Sequence, residues 1–186
     1  MLFSDVARSF SQIVSKSGRL DMTDILSNLF KNAKKDEIRK LVYNVQGLLE
    51  PPYLVVELGL GEKLAIAAIA SSSGYTKFEV EKNYKKSGDL GLTAVSLLEE
   101  KKQRSLSSND LKILYVYDSF YKIAQTSGTG SQELKIKHLV ELLNNCTSED
   151  SKYIVSVVLG RLRLGGGDPT ILYALSVCSA GNKSLR

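Results

Sequence analysis

The chain is short of the residues that build metal centres, disulfide frameworks and hairpins. Of its 186 residues, two are cysteine and one is histidine. Cys146 and Cys178 lie far apart, in no zinc-binding spacing and no paired framework. They read as small buried side chains in a reducing, intracellular compartment. His138 has no second histidine or cysteine at ligand spacing and reads as structural. No apolar run could span a bilayer, and residues 1–15 carry Asp5 and Arg8 inside an amphipathic pattern, unlike a signal peptide. Asn-Gly and Asp-Gly dipeptides are absent, as is any useful alternating stretch, so nothing announces a sheet. Walker A, dinucleotide-binding and G-x-S-x-G motifs are absent too. The acidic pairs Glu99-Glu100 and Glu149-Asp150 read as helix ends rather than as an acid/base pair.

What is present is helical. Leu26, Leu29 and Phe30 follow one helical face, and Leu41, Val42 and Val45 another. Start signals stand at Asp21, at Thr76 with Glu79, at Ser108 and at Ser148. Gly18, Gly74, Gly88 and Gly128 fall where helices should stop, and Pro51-Pro52 breaks the chain. The expected fold is all-α, with about ten helices in one domain over residues 1–186. The polar stretch 99–110 is an exposed connection.

The two halves resemble each other, roughly residues 10–75 and 118–180. Without a gap, 25–49 aligns on 138–162 at an offset of 113, pairing Leu26 with Leu139, Asn32 with Asn145 and Gly47 with Gly160. IVSKSG (13–18) resembles IAQTSG (123–128), and LGLGE (58–62) resembles LGGGD (164–168) at an offset of 106. The difference of seven residues is the PPYLVVE insertion in the first half. This pattern predicts an internal duplication: two helical units related by a pseudo-twofold, each with a Gly loop at a helix start.

Bare backbone before a helix lets an anion approach unpaired N–H groups at the positive end of the helix dipole. Gly165 and Gly167, followed by Asp168 as a cap and Pro169, supply that shape, and Gly59 and Gly61 supply it in the first half. Arg161 and Arg163 precede the second loop. In extended chain they point the same way, with Leu162 and Leu164 below, and arginine forks suit phosphate oxygens. Gly130 and Ser131 precede a helix carrying Lys135 and Lys137, and Arg19 occupies the equivalent turn of the first half. A net charge of +5 permits a polyanionic partner. Two such edges across a twofold would match the two backbones of one groove, reading shape rather than sequence.

VVELGLGEKL, KKSGDLGLTA, SGTGSQELKIKHLVELL and KYIVSVVLGRLRLGGGDPTILYALS, in this order, resemble the N-terminal DNA-binding domain of ATP-dependent DNA ligases of the archaeal and eukaryotic replicative type, the archaeal ones most. The resemblance implies a helical, pseudo-twofold domain that grips the minor groove on both sides of a nick. It implies backbone contacts by Arg161, Arg163 and Gly165, with Gly59 and Gly61 paired to them. Residues 127–131 and 17–19 would sit near phosphates. The first copy has Leu48 and Glu50 where the second has its arginines, so its grip should be carried by other residues. The family's nucleotidyl-transfer lysine lies in K-x-D-G, which does not occur here. The chain is thus expected to be inactive alone, without cofactor. ATP and Mg²⁺ would serve the parent ligase, which seals nicks in replication, repair and recombination. The resemblance also implies a sliding-clamp contact through Gln103 and Leu106; a monomer and a cytoplasmic, nucleoid-associated protein are expected besides. The competing reading is a helical protein–protein scaffold whose basic charge is incidental.

Overall fold

The computed structural model describes residues 1–54, 56–100 and 110–181. They form ten α-helices: α1 (Phe3–Val14), α2 (Arg19–Lys31), α3 (Lys35–Val45), α4 (Glu62–Ser73), α5 (Lys77–Ser87), α6 (Leu90–Glu99), α7 (Ile113–Gln125), α8 (Ser131–Asn145), α9 (Ser148–Val158) and α10 (Asp168–Ala180). A 3₁₀ turn at Pro52–Leu54 follows α3. Among the described residues the only strand-like pairing is one antiparallel bridge, Leu2 to Lys112. The fold is all-α, as its periodicity predicts. No described helix is long and apolar enough to cross a membrane.

Residues three and four apart share a helix face, and each helix buries that face. α1 turns Phe3, Val6, Ala7, Phe10 and Ile13 inward. α7 does the same with Ile113, Val116, Tyr117, Phe120 and Ile123, the same positions 110 residues on. Glu37, Leu41, Asn44 and Val45 of α3 recur in α9 as Asp150, Ile154, Val157 and Val158, 113 on. Met22, Leu26, Leu29 and Phe30 of α2 recur in α8 as Lys135, Leu139, Leu142 and Leu143. α4 and α10 start 106 apart.

The packing is reciprocal. α2 lies on α10 and α4 on α8, α1 on α9 and α3 on α7. A helix that meets the counterpart of its own partner is what a twofold axis produces. α5 and α6 connect the two four-helix units and break the symmetry by covering α4 and α9. Ile66 on α4 is buried, whereas its counterpart on α10, Leu172, is 65% exposed. α6 approaches α9 closely at Gly91, where a Cβ would lie 2.8 Å from the Lys152 carbonyl oxygen.

Several helix ends differ from expectation. Gly18 starts α2 instead of ending a helix, and Asp21 lies in the first turn. The α9 capping box begins at Thr147, one residue before Ser148: its hydroxyl accepts from the Asp150 N–H, and the Asp150 carboxylate accepts from the Thr147 N–H. The Thr76–Glu79 box forms as expected, and Gly74 and Gly88 end α4 and α5 in left-handed conformations. Ser108 lies outside the described residues.

Candidate nucleic-acid interface

The site begins with two matched helix ends. α3 and α9 each stop at a glycine with positive φ, Gly47 at 71° and Gly160 at 64°. Beyond the glycine, the Leu48 N–H donates to the Tyr43 carbonyl at 2.9 Å and the Arg161 N–H to the Ser156 carbonyl at 2.8 Å. The glycine N–H groups donate to Asn44 and Val157. This is the Schellman arrangement, in which the residue after the glycine is ordinarily apolar and packs back on the helix. Leu48 obeys that rule and is half-buried, but Arg161 breaks it and is exposed. An arginine where the turn favours leucine is a departure that the turn itself does not require.

Each turn feeds a Gly loop. In both loops the first glycine is left-handed, Gly59 at φ 57° and Gly165 at φ 77°. The last glycine of each is an extended N-cap, Gly61 (φ −81°) for α4 and Gly167 (φ −78°) for α10. Each loop rests on the other unit through equivalent side chains. A Cβ on Gly165 would touch Met22 Cε at 3.5 Å, and one on Gly59 would collide with Lys135 Nζ at 2.8 Å. Gly61 is different: a Cβ there meets nothing within 4 Å, and at Gly167 only Pro169, at 3.7 Å. Neither conformation nor space inside the protein requires glycine at 61 or 167.

Eight of the ten helix starts fall into two groups, while α1 and α7, which follow Leu2 and Lys112, have no side-chain cap either. α5, α6 and α9 are capped by Thr76, Asp89 and Thr147, and α3 by the Glu37 carboxylate reaching back to the Lys34 N–H. α2, α4, α8 and α10 begin at Gly18, Gly61, Gly130 and Gly167, and none of these has a side-chain cap. All four loops singled out in the sequence therefore open a helix whose first amides no side-chain cap fills. In α4 and α10 the first helical residue is an acid whose carboxylate bonds across to the other unit. Asp168, expected as the cap, is the first helical residue instead, and its Oδ1 accepts from Gln46 Nε2 of the first unit at 2.9 Å. Glu62 Oε1 accepts from Arg161 of the second unit at 2.5 Å and from the Tyr84 hydroxyl at 3.1 Å.

Arg161 and Arg163 lie in extended chain, and exposure alternates as predicted: Arg161 and Arg163 out, Leu162 half-buried, Leu164 buried. The first unit has no such edge. Glu50, at the place of Arg163, is neutralised by Arg39 at 3.0 and 3.2 Å. Hydrogen bonds from Arg161 and Tyr84 hold the Glu62 carboxyl below the ordinary carboxylate range. Tyr84 and Glu62 in turn hold Arg161 still more firmly protonated.

The groove between the units is lined by Gly47, Gly59, Leu60, Gly61 and Gly160, so the first Gly loop meets the turn that presents Arg161. Gly47 also faces Leu162, with 3.5 Å from an ideal Cβ to the Leu162 Cβ. Lys135 is a correction. It is only 9% exposed, and its Nζ donates inward to the Leu58 carbonyl at 2.7 Å. It occupies the place of Met22 and is turned onto the loop carbonyls, so it props the Gly59 loop rather than reaching for phosphate. Gly130 is left-handed and caps α8, and Ser131 is its first residue. Arg19 opens α2 and is exposed. Gln103 and Leu106 lie outside the described residues. Sequence reasoning missed the roles of Glu62, Tyr84 and Gln46. Tyr84 belongs to α5, outside both units, and no periodicity or offset connects it with Arg161.

The arrangement offers uncapped helix starts on both sides of a pseudo-axis, with a cationic edge beside one of them. Such a surface has the chemistry to receive a chain of anions. A family model described as DNA ligase N terminus matches residues 2–176. The whole chain is 41% identical to a DNA ligase of Nitrosopumilus maritimus, covering 32% of that protein. A DNA ligase 2 of Thermofilum pendens is 44% identical over 191 residues, 99% of this chain and 32% of the relative. A probable DNA ligase of Dictyoglomus turgidum is 38% identical over the whole chain, 31% of the relative. The chain thus spans about a third of the length of these curated relatives.

Proposed function

The chain belongs to the family of DNA ligase N-terminal domains, and we propose that it clasps nicked duplex DNA from the minor-groove side without reading sequence. The observation that carries this reading is the pair of glycines, Gly61 and Gly167, at helix starts without a side-chain cap, where neither backbone conformation nor internal space requires glycine. A backbone kept bare and unblocked serves an outside anion, and the pseudo-twofold repeats the provision for a second strand. Arg161 and Arg163, both from the second unit, add charge, with Arg161 beside the first Gly loop. We further propose that the two units descend from one duplicated segment.

In this reading the chain is the gripping part of an ATP-dependent ligase that seals nicks in replication, repair and recombination. ATP and Mg²⁺ are assigned to the parent ligase, because the K-x-D-G lysine that carries nucleotidyl transfer in the family does not occur in this chain. Nucleotidyl transfer therefore has no step assigned to these side chains, and the chain alone forms no nucleotide adduct. A monomer acting in the cytoplasm, in contact with a sliding clamp through Gln103 and Leu106, completes the proposal.

The test is fluorescence anisotropy with nicked duplex, intact duplex and single strand at several salt concentrations. Each phosphate neutralised steepens the fall of log K with log salt by about 0.9. Arg161→Ala with Arg163→Ala should weaken duplex binding on every sequence and flatten that slope by about two, with circular dichroism unchanged. Flat, weak, arginine-independent binding would replace this reading with the scaffold.

A further inference from the structure

Arg161 is held in a closed ring of hydrogen bonds. One terminal nitrogen donates to the Tyr84 hydroxyl at 3.2 Å, the other to Glu62 Oε1 at 2.5 Å, and the Tyr84 hydroxyl donates to the same Glu62 oxygen at 3.1 Å. The three residues come from three places: the turn after α9, the body of α5 and the first residue of α4. The ring is not buried, the Arg161 side chain being 52% and the Glu62 side chain 42% exposed. A guanidinium has five N–H donors. Two are engaged here, so five less two leaves the Nε–H and one N–H on each terminal nitrogen.

An exposed arginine ordinarily samples many rotamers, and binding must then order it. Here the ordering is done in the folded protein. The α4 amides beside Gly61 have no side-chain cap, so the fixed cation stands next to open backbone donors. At the opposite junction the Asp168 carboxylate accepts from the neutral Gln46 amide, which presents no cation.

We propose that Glu62 and Tyr84 are positioning residues that hold Arg161 at the mouth of the first Gly loop, with its remaining donors offered to a DNA phosphate. This deepens the DNA-binding reading and rests on it. It makes a prediction of opposite sign to bulk electrostatics. Glu62 is a negative charge beside the DNA, so removing it should tighten binding if charge alone matters, or if Glu62 merely competes with phosphate for Arg161. If Glu62 positions Arg161, removing it weakens binding.

The experiment titrates a nicked duplex by anisotropy with the 186-residue chain and its variants, with thermal melts as the check on folding. Glu62→Ala should weaken binding about three- to tenfold, part of the strength of one charge-assisted hydrogen bond. Glu62→Gln keeps the Oε1 acceptor and should recover most of that loss. Tyr84→Phe removes only a hydroxyl and should weaken binding by about two- to threefold, which keeps the test available if Glu62→Ala folds poorly. In an Arg161→Ala background, Glu62→Ala should no longer weaken binding. Tighter or unchanged binding by Glu62→Ala, with Arg161→Ala weakened as expected, overturns the positioning role and leaves the DNA reading standing. So does an equal loss in the Arg161→Ala background. A wild-type chain that ignores duplex DNA overturns both.

Discussion

Replacing Gly61 and Gly167 together by alanine separates what the fold needs from what DNA needs. Both residues have φ near −80° and ψ 175°, which alanine adopts without strain, and an ideal Cβ meets nothing closer than 3.7 Å at either. Restricting the unfolded chain by a Gly→Ala change at a compatible site stabilises by about 0.4–1 kcal/mol. Alanine is a poorer N-cap than glycine by roughly the same amount. The two effects offset, so each site should stay within about 0.5 kcal/mol of the parent, or about 1–2 °C in melting temperature for a chain of this size. DNA binding should respond quite differently. An amide-to-phosphate hydrogen bond contributes about 1.5–3 kcal/mol. A methyl group standing in the approach would forfeit part of it, about 1 kcal/mol per loop, or roughly thirtyfold for the pair. The salt slope should not change, because no cation is removed. That signature differs from arginine removal, which flattens the slope. The assay is anisotropy with nicked duplex across a salt series, beside calorimetric melts. A double variant that melts like the parent and binds within about twofold of it would refute the claim that phosphates approach these amides.

Gly91→Ala should do the reverse, destabilising by about 1–2 kcal/mol in a thermal melt, because overpacking against the Lys152 carbonyl at 2.8 Å outweighs the gain in helix propensity. Melting at or above the parent temperature would show that α6 and α9 can separate freely. The Tyr117 phenol is pushed up to about 12, by burial first and then by the Glu50 charge, while its hydroxyl donates to the Leu49 carbonyl. A folded state that holds this proton more tightly is stabilised below pH 10 and loses that stability as pH rises through about 12. The loss is up to ~3 kcal/mol, and Tyr117→Phe should remove this alkaline dependence in a denaturant titration.

Much of the architecture was legible because it repeats. Gly47 and Gly160 are visible as paired glycines, and the structure makes both the left-handed residue of a Schellman turn. Alternation along residues 161–164 is visible as Arg-Leu-Arg-Leu, and the exposure follows it. Lys135 was not legible. A lysine in the first turns of a helix after a Gly-rich start looks solvent-borne, and only its equivalence with Met22, seen once α8 is placed on the first Gly loop, shows that it points inward. Glu62 and Asp168 read as N-terminal acids that favour a helix start, and they are that, but their carboxylates serve the opposite unit.

By itself the sequence determined the local steps: which faces are apolar, where glycine must turn the chain, and that one pattern occurs twice. Each of these depends on a few neighbouring residues whose geometry is set by backbone sterics and by the 3.6-residue period. Only the tertiary structure decided which side chains meet across the pseudo-axis: Met22 under Gly165, Lys135 under Gly59, Gln46 on Asp168, and Arg161 between Glu62 and Tyr84. Those partners lie from 76 to 143 residues apart. No local preference encodes such contacts. They follow from burying two amphipathic units against each other, which fixes the register of every loop at the junction.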